Sequence, residues 1–91
     1  MRATKIHMRL GCMDSQNLLE IDQIYIVDHT NGAWYPKEVL HNHLTKNPGT
    51  IQVNIAPYPD LIPWKSPYGE KYVKSTPNAY ASDNLLMLPR E

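Results

Sequence analysis

Short alternating runs of apolar and polar residues dominate the chain. Over residues 4–10, Ile6, Met8 and Leu10 fall on one side and Lys5, His7 and Arg9 on the other, the period-two pattern of a half-buried strand. Residues 11–16 read as a turn or loop. Residues 21–28 form a second run with Ile24 and Ile26 facing one way and Tyr25 and Val27 the other; apolar groups on both sides predict a central strand. The sequence His29-Thr30-Asn31-Gly32 predicts a turn, with Asn-Gly as its signal.

The period then changes to that of a helix over residues 36–46. Pro36 suits the first helical position, Glu38 falls where the helix dipole favours an anion, and Val39, Leu40, His43 and Leu44 share a face. His43 is therefore expected to be buried and His41 exposed. Trp34 and Val39 have the spacing of a hydrophobic staple, and Asn47-Pro48-Gly49 stops the helix. Ile51, Val53 and Ile55 alternate with Gln52 and Asn54 as a third strand. Residues 56–69 hold four of the eight prolines, which forbid a helix interior or a central strand and predict a long stiff loop without secondary structure. Residues 70–75 form a fourth strand and 77–81 a turn. Ser82 or Asp83 then caps a short turn carrying Leu85, Leu86 and Leu88. The expected fold is a single α+β domain over residues 1–91, in the order β-β-α-β-β. Its sheet is mainly antiparallel, with one helix on a face and a turn at the C-terminal end.

Composition narrows the function classes. With 91 residues the core is small enough that a homodimer burying further apolar surface is an expected option. Phe is absent while Tyr occurs six times and Trp twice, so every aromatic side chain also carries a polar atom and suits a half-wet boundary. Net charge is zero, whereas nucleic-acid binders concentrate positive charge to neutralise phosphates. Cys12 is the single cysteine, which excludes an intrachain disulfide or a thiolate zinc cluster. The first residues lack the apolar segment of a signal peptide, and no run has the length of a membrane span, so the expected compartment is the cytoplasm.

The C-terminal stretch carries one specific motif: Tyr72-Val73-Lys74-Ser75, seven further residues, then Asp83-Asn84-Leu85-Leu86-Met87-Leu88-Pro89. It resembles the hallmark of a bacterial family of unknown function, whose members end in a Tyr-led strand, a turn and Asp-Asn-Leu-Leu-x-Leu-Pro. The upstream order of strands and helix is similar. Ala79 and Ala81 depart from the pattern, standing where a glycine and an aromatic are expected. The resemblance implies a fold and a bacterial or phage origin, and no activity.

Chemically, the chain offers weak candidates. His41 and His43 lie about 200° apart on a helix, unlike the i,i+3 or i,i+4 pairs that bind metals. Glu20 and Asp22, with Asp14 and Asp28, lack a glycine-centred calcium loop, and Lys5 or Arg9 offers them ion-pair partners instead. Cys12 has no evident base, and the four glycines are isolated, so no phosphate cradle is formed. Asp83 and Asn84 are read as turn-fixing residues that dock Leu85, Leu86 and Leu88 on the core. No catalytic residue, metal or cofactor is assigned. The aromatic residues Tyr58, Trp64 and Tyr68 within the proline-rich segment are the candidate partner-binding residues, because such side chains anchor interfaces and prolines lower the ordering cost. The expected function is a non-enzymatic module that binds a protein, or itself, through this segment and a sheet edge. The alternative is a nucleic-acid accessory protein using Lys5, His7, Arg9, Lys71, Lys74 and Tyr72. Clustering of those six on one surface favours the alternative.

Overall fold

The computed structural model of the protein describes residues 1–76 and 83–91. The turn expected at 77–81, with Ala79 and Ala81, and the capping alternative Ser82 lie outside the described residues. Within them the order is β1 (Arg2–Met8), β2 (Ile21–Asp28), β3 (Asn31–Pro36), α1 (Lys37–Lys46), β4 (Gln52–Val53), β5 (Leu61–Lys65) and β6 (Lys71–Ser75). Single turns of 3-10 helix occupy Leu18–Glu20 and Asn84–Met87. One sheet runs β3-β2-β1-β4, antiparallel except for the β1–β4 pair, and β5–β6 is an antiparallel hairpin. This is a small α+β fold with one helix packed against mixed, mainly antiparallel sheet structure. It is the architecture that the hydrophobic pattern predicts, with β3 and β5 added to the expected order.

The core is aliphatic. Ala3, Ile6 and Met8 of β1 meet Ile21, Ile24 and Ile26 of β2, and Leu40, Leu44, Leu61, Val73 and Leu85 close over them. Ala3 and Ile6, and likewise Ile21 and Ile24, share a face despite their three-residue spacing. The β1–β2 register shifts between Ala3 and Lys5 and again between His7 and Met8, and an extra residue in a strand reverses the side-chain alternation. Leu10, expected on the inner face of β1, lies beyond the strand and is exposed, because the chain turns back through the bond from Cys12 N–H to the Arg9 carbonyl.

Further expectations are corrected. The turn between β2 and β3 is centred on His29 and Thr30, with His29 at φ 50°, and Asn31-Gly32 opens β3 instead. Gly32 is required there for another reason: a Cβ would fall within 2.5 Å of the Tyr25 hydroxyl, whose ring crosses it. The buried face of α1 is Lys37, Leu40, His41 and Leu44, so His41 is the buried histidine and His43 the half-exposed one, while Val39 is exposed. The apolar count missed this register because the inward residue at the first position is a lysine. Trp34 makes no staple with Val39; its ring meets Tyr25 edge-on, with centroids 5.2 Å apart. Pro36 precedes the helix as its cap.

The last correction concerns residues 56–69, which contain β5. Ser66 N–H bonds to the Glu70 carbonyl and Thr76 N–H to the Asp60 carbonyl, so the bonded pairs of the hairpin fall at even-numbered β5 positions. Pro63 sits at an unbonded position opposite Val73, where its missing N–H costs no ladder bond. The same proline blunts the outer edge of β5, which has lost a donor there.

Candidate functional site

Alternation along the hairpin sorts its side chains. Leu61, Val73 and Ser75 are buried, whereas Ile62, Trp64, Tyr72 and Lys74 point outward and none of these four is buried. Trp64 pairs with Tyr72 and Ile62 with Lys74, and the Lys74 ammonium lies diagonally over the Trp64 ring, 3.9 Å from its centroid. Trp64 is 50% exposed, with its indole held by this cation rather than by the core. Tyr72 continues the surface into a shallow cleft shared with Leu18, Leu19, Asp83 and Leu86.

Both ends of the hairpin are fixed. At the tip, the buried Ser66 hydroxyl accepts from Tyr68 N–H at 3.2 Å and Glu70 N–H at 3.1 Å. Gly69, at φ 86°, completes the turn, and Tyr68 projects from it 98% exposed. Beside the tip, Lys37 donates to Glu70 Oε2 at 2.6 Å and to the Leu19 carbonyl at 2.5 Å, while Arg9 reaches the same carboxylate oxygen at 2.5 Å. The Lys37 hydrogen bond above all, with the charges of Lys37 and Arg9, holds the Glu70 carboxyl below the ordinary glutamate range against the opposing effect of burial. At the base, Asp83 accepts from Ser75 Oγ at 2.7 Å, from Ser75 N–H and from Leu85 N–H at 2.9 Å. It thus caps the last turn and ties it to β6 at once. Leu85, Leu86 and Leu88 are buried as expected, and Pro89 passes its carbonyl to Ile6 N–H, adding the C-terminal residues beside β1. Asn84 is fully buried, and its side-chain amide has no partner among the described residues.

The three aromatic candidates separate. Trp64 and Tyr68 belong to the outer face and tip of one hairpin. Tyr58, at φ 60° and following a cis Ala56–Pro57 bond, lies before its base, and Arg2 covers its ring at 4.2 Å. The carboxylates also separate. Glu20 accepts from Ser15 at 2.5 Å and from the Cys12 thiol at 2.8 Å; the thiol's bond to Glu20, with burial and the Glu20 charge, pushes the thiol pKa up. Asp22 is exposed on β2, Lys5 pairs with Glu91 and Arg9 with Glu70, so neither cation meets Asp22. Among the described residues no three His, Cys, Asp or Glu side chains gather as a metal site. No helix there is long and apolar enough to cross a membrane.

Sequence reasoning passed over two features. Lys74 reads as a scattered cation, and only the strand register brings it onto Trp64. The outer face of the large sheet carries a second aromatic group in which Trp34 meets Tyr25 and His7, and Lys5 lies over Tyr25 at 4.6 Å. Comparison with protein-family models, curated proteins and solved structures finds no match to the chain.

Proposed function

We propose that the chain is a non-enzymatic interaction module that holds an acidic segment of a partner protein on the outer face of the β5–β6 hairpin, with Trp64 as the anchor. The observation that carries this reading is Trp64 itself: a large aromatic, half exposed, and braced by Lys74 on a hairpin fixed at both ends. An anchor held in place before binding loses little side-chain entropy when it is covered. On that face Lys74 supplies the charge and forms no salt bridge among the described residues; Lys65 and Lys71 alternate to the other face, where Lys71 donates to Asn42 of α1, and the hairpin's one carboxylate, Glu70, is taken up by Lys37 and Arg9. An acidic partner complements that balance.

The six residues of the nucleic-acid alternative divide between surfaces, which favours the protein-binding reading. Lys5 and His7 belong to the face of the large sheet beside Tyr25 and Trp34, Arg9 is engaged with Glu70, and Lys71, Lys74 and Tyr72 belong to the hairpin. The test is affinity capture from the native host, followed by titration of the captured protein, purified, against the wild-type chain and Lys74→Ala. The reading expects weaker binding to Lys74→Ala and a moderate fall in affinity with salt. A captured protein whose binding ignores both, or displacement by single-stranded oligonucleotides at physiological salt, contradicts it.

A further inference from the structure

β3 is an edge strand: among the described residues β2 is its only strand partner. Edges of this kind are ordinarily blunted by lysine, by proline within the strand or by a bulge. β3 has none of these between Asn31 and Tyr35, and its sequence Asn-Gly-Ala-Trp-Tyr-Pro carries no charge. Its backbone polarity follows from the hairpin register. A two-residue turn at His29 and Thr30 makes Asp28–Asn31 the closing bonded pair, so Ala33 and Tyr35 bond to β2, and the N–H and C=O groups of Gly32 and Trp34 face outward.

From this we infer that the β3 edge joins a second copy of the chain, antiparallel, about a two-fold axis at Ala33. The outward groups are self-complementary in that register: Gly32 of one copy exchanges both bonds with Trp34 of the other, and Ala33 faces Ala33, so both outward residues of each copy bond fully. A small neutral side chain at the axis introduces neither clash nor like-charge repulsion. The flank is complementary as well. Tyr35 and Val39 are exposed on the helix side of β3, lining an apolar groove with Met1, Ile26 and Leu40, and the two-fold brings both copies of this groove together. The result is one continuous eight-stranded sheet, which supplies the apolar burial that a 91-residue chain is short of. The β5 edge offers no equivalent, since Pro63 removes an outward donor in mid-strand, whereas Pro36 stands at the last position of β3, outside the bonds between Gly32 and Trp34. This inference does not depend on the hairpin reading, because Trp64 and β3 belong to different sheets.

Two measurements test it. Sedimentation of the wild-type chain should give twice the 10.5 kDa chain mass, and Ala33→Lys, which sets two ammonium groups across the axis, should sediment as a single chain with an unchanged circular dichroism spectrum. Ala33→Cys in a Cys12→Ser background should form a disulfide-linked dimer under mild oxidation, because directly opposed residues at an unbonded antiparallel position lie about 4.5 Å apart at Cα, within disulfide reach. If Ala33→Lys fails to fold, the cross-link decides. A wild-type chain that remains a single chain at its highest soluble concentration overturns the inference. So does a dimer that survives Ala33→Lys and resists cross-linking at Ala33.

Discussion

Lys37 and Glu70 form an ion pair whose two ends sit in different surroundings: the lysine side chain is 1% exposed and the glutamate 36% exposed, with 2.6 Å between Nζ and Oε2. The pair joins the first residue of α1 to the end of the β5–β6 hairpin, and the same ammonium bonds to the Leu19 carbonyl. The orientation of α1, and so the position of the candidate surface, depends on a charge that the core cannot accommodate alone. Removing the carboxylate strands a buried cation, whereas removing the cation leaves Glu70 with Arg9 and solvent.

Glu70→Gln is therefore expected to destabilise the fold by about 1–3 kcal/mol, below the cost of breaking a fully buried pair because solvent screens the exposed carboxylate. Lys37→Met, which keeps the stem packed, should cost less. Urea unfolding of both variants checks the order; a larger loss for Lys37→Met contradicts it.

The pH dependence has a defined sign. The Glu70 carboxyl is depressed in the folded chain by the Lys37 hydrogen bond first, and Glu20 is depressed by its bonds from Cys12 and then Ser15. The unfolded chain binds those protons more readily, so the stabilisation is complete above the ordinary glutamate pKa of about 4.3. It is lost as pH falls through the depressed folded values. Urea midpoints measured on an acid series should decline over that window, and Glu70→Gln should decline less steeply than wild type. Equal slopes contradict the assignment to Glu70.

The C-terminal motif is expected to act through stability. Leu85→Ala removes a fully buried side chain and should cost about 2–5 kcal/mol. Asp83→Ala loses the cap on Leu85 and the tie to Ser75, for which about 0.5–2 kcal/mol is expected from the cap. Thermal melts measure both, and unchanged midpoints contradict a structural role.

Much of this architecture was legible in the sequence, because the period of the apolar residues and the turn residues between them bound the elements that line the core. The bounds of β2, the body of α1 and the burial of Leu85, Leu86 and Leu88 follow from that. The misses share a cause: a long-range contact overrides local chemistry. Lys37 is buried because Glu70 and Leu19 await it, which turns His41 inward and Val39 outward. Pro63 is tolerated in a strand because pairing with β6 places it at an unbonded position, and β3 is hidden by an Asn-Gly pair that serves Tyr25 packing. Of the candidate surface, Trp64 and Tyr68 were visible by residue type. Its completion by Lys74 and Tyr72, and the separation of Tyr58, required the strand register.

The most direct test of the hairpin surface is a side-by-side capture from the native host with the wild-type chain, Trp64→Ala and Tyr58→Ala, each first shown by melting to be folded. Trp64 is half exposed, so its truncation should cost well below the roughly 3–5 kcal/mol of a core aromatic. The account predicts a protein with an acidic segment that is retained by the wild-type chain and by Tyr58→Ala, whose ring is engaged by Arg2, and lost from Trp64→Ala. The same proteins retained by all three chains, or a Trp64→Ala chain that is unfolded, would contradict it.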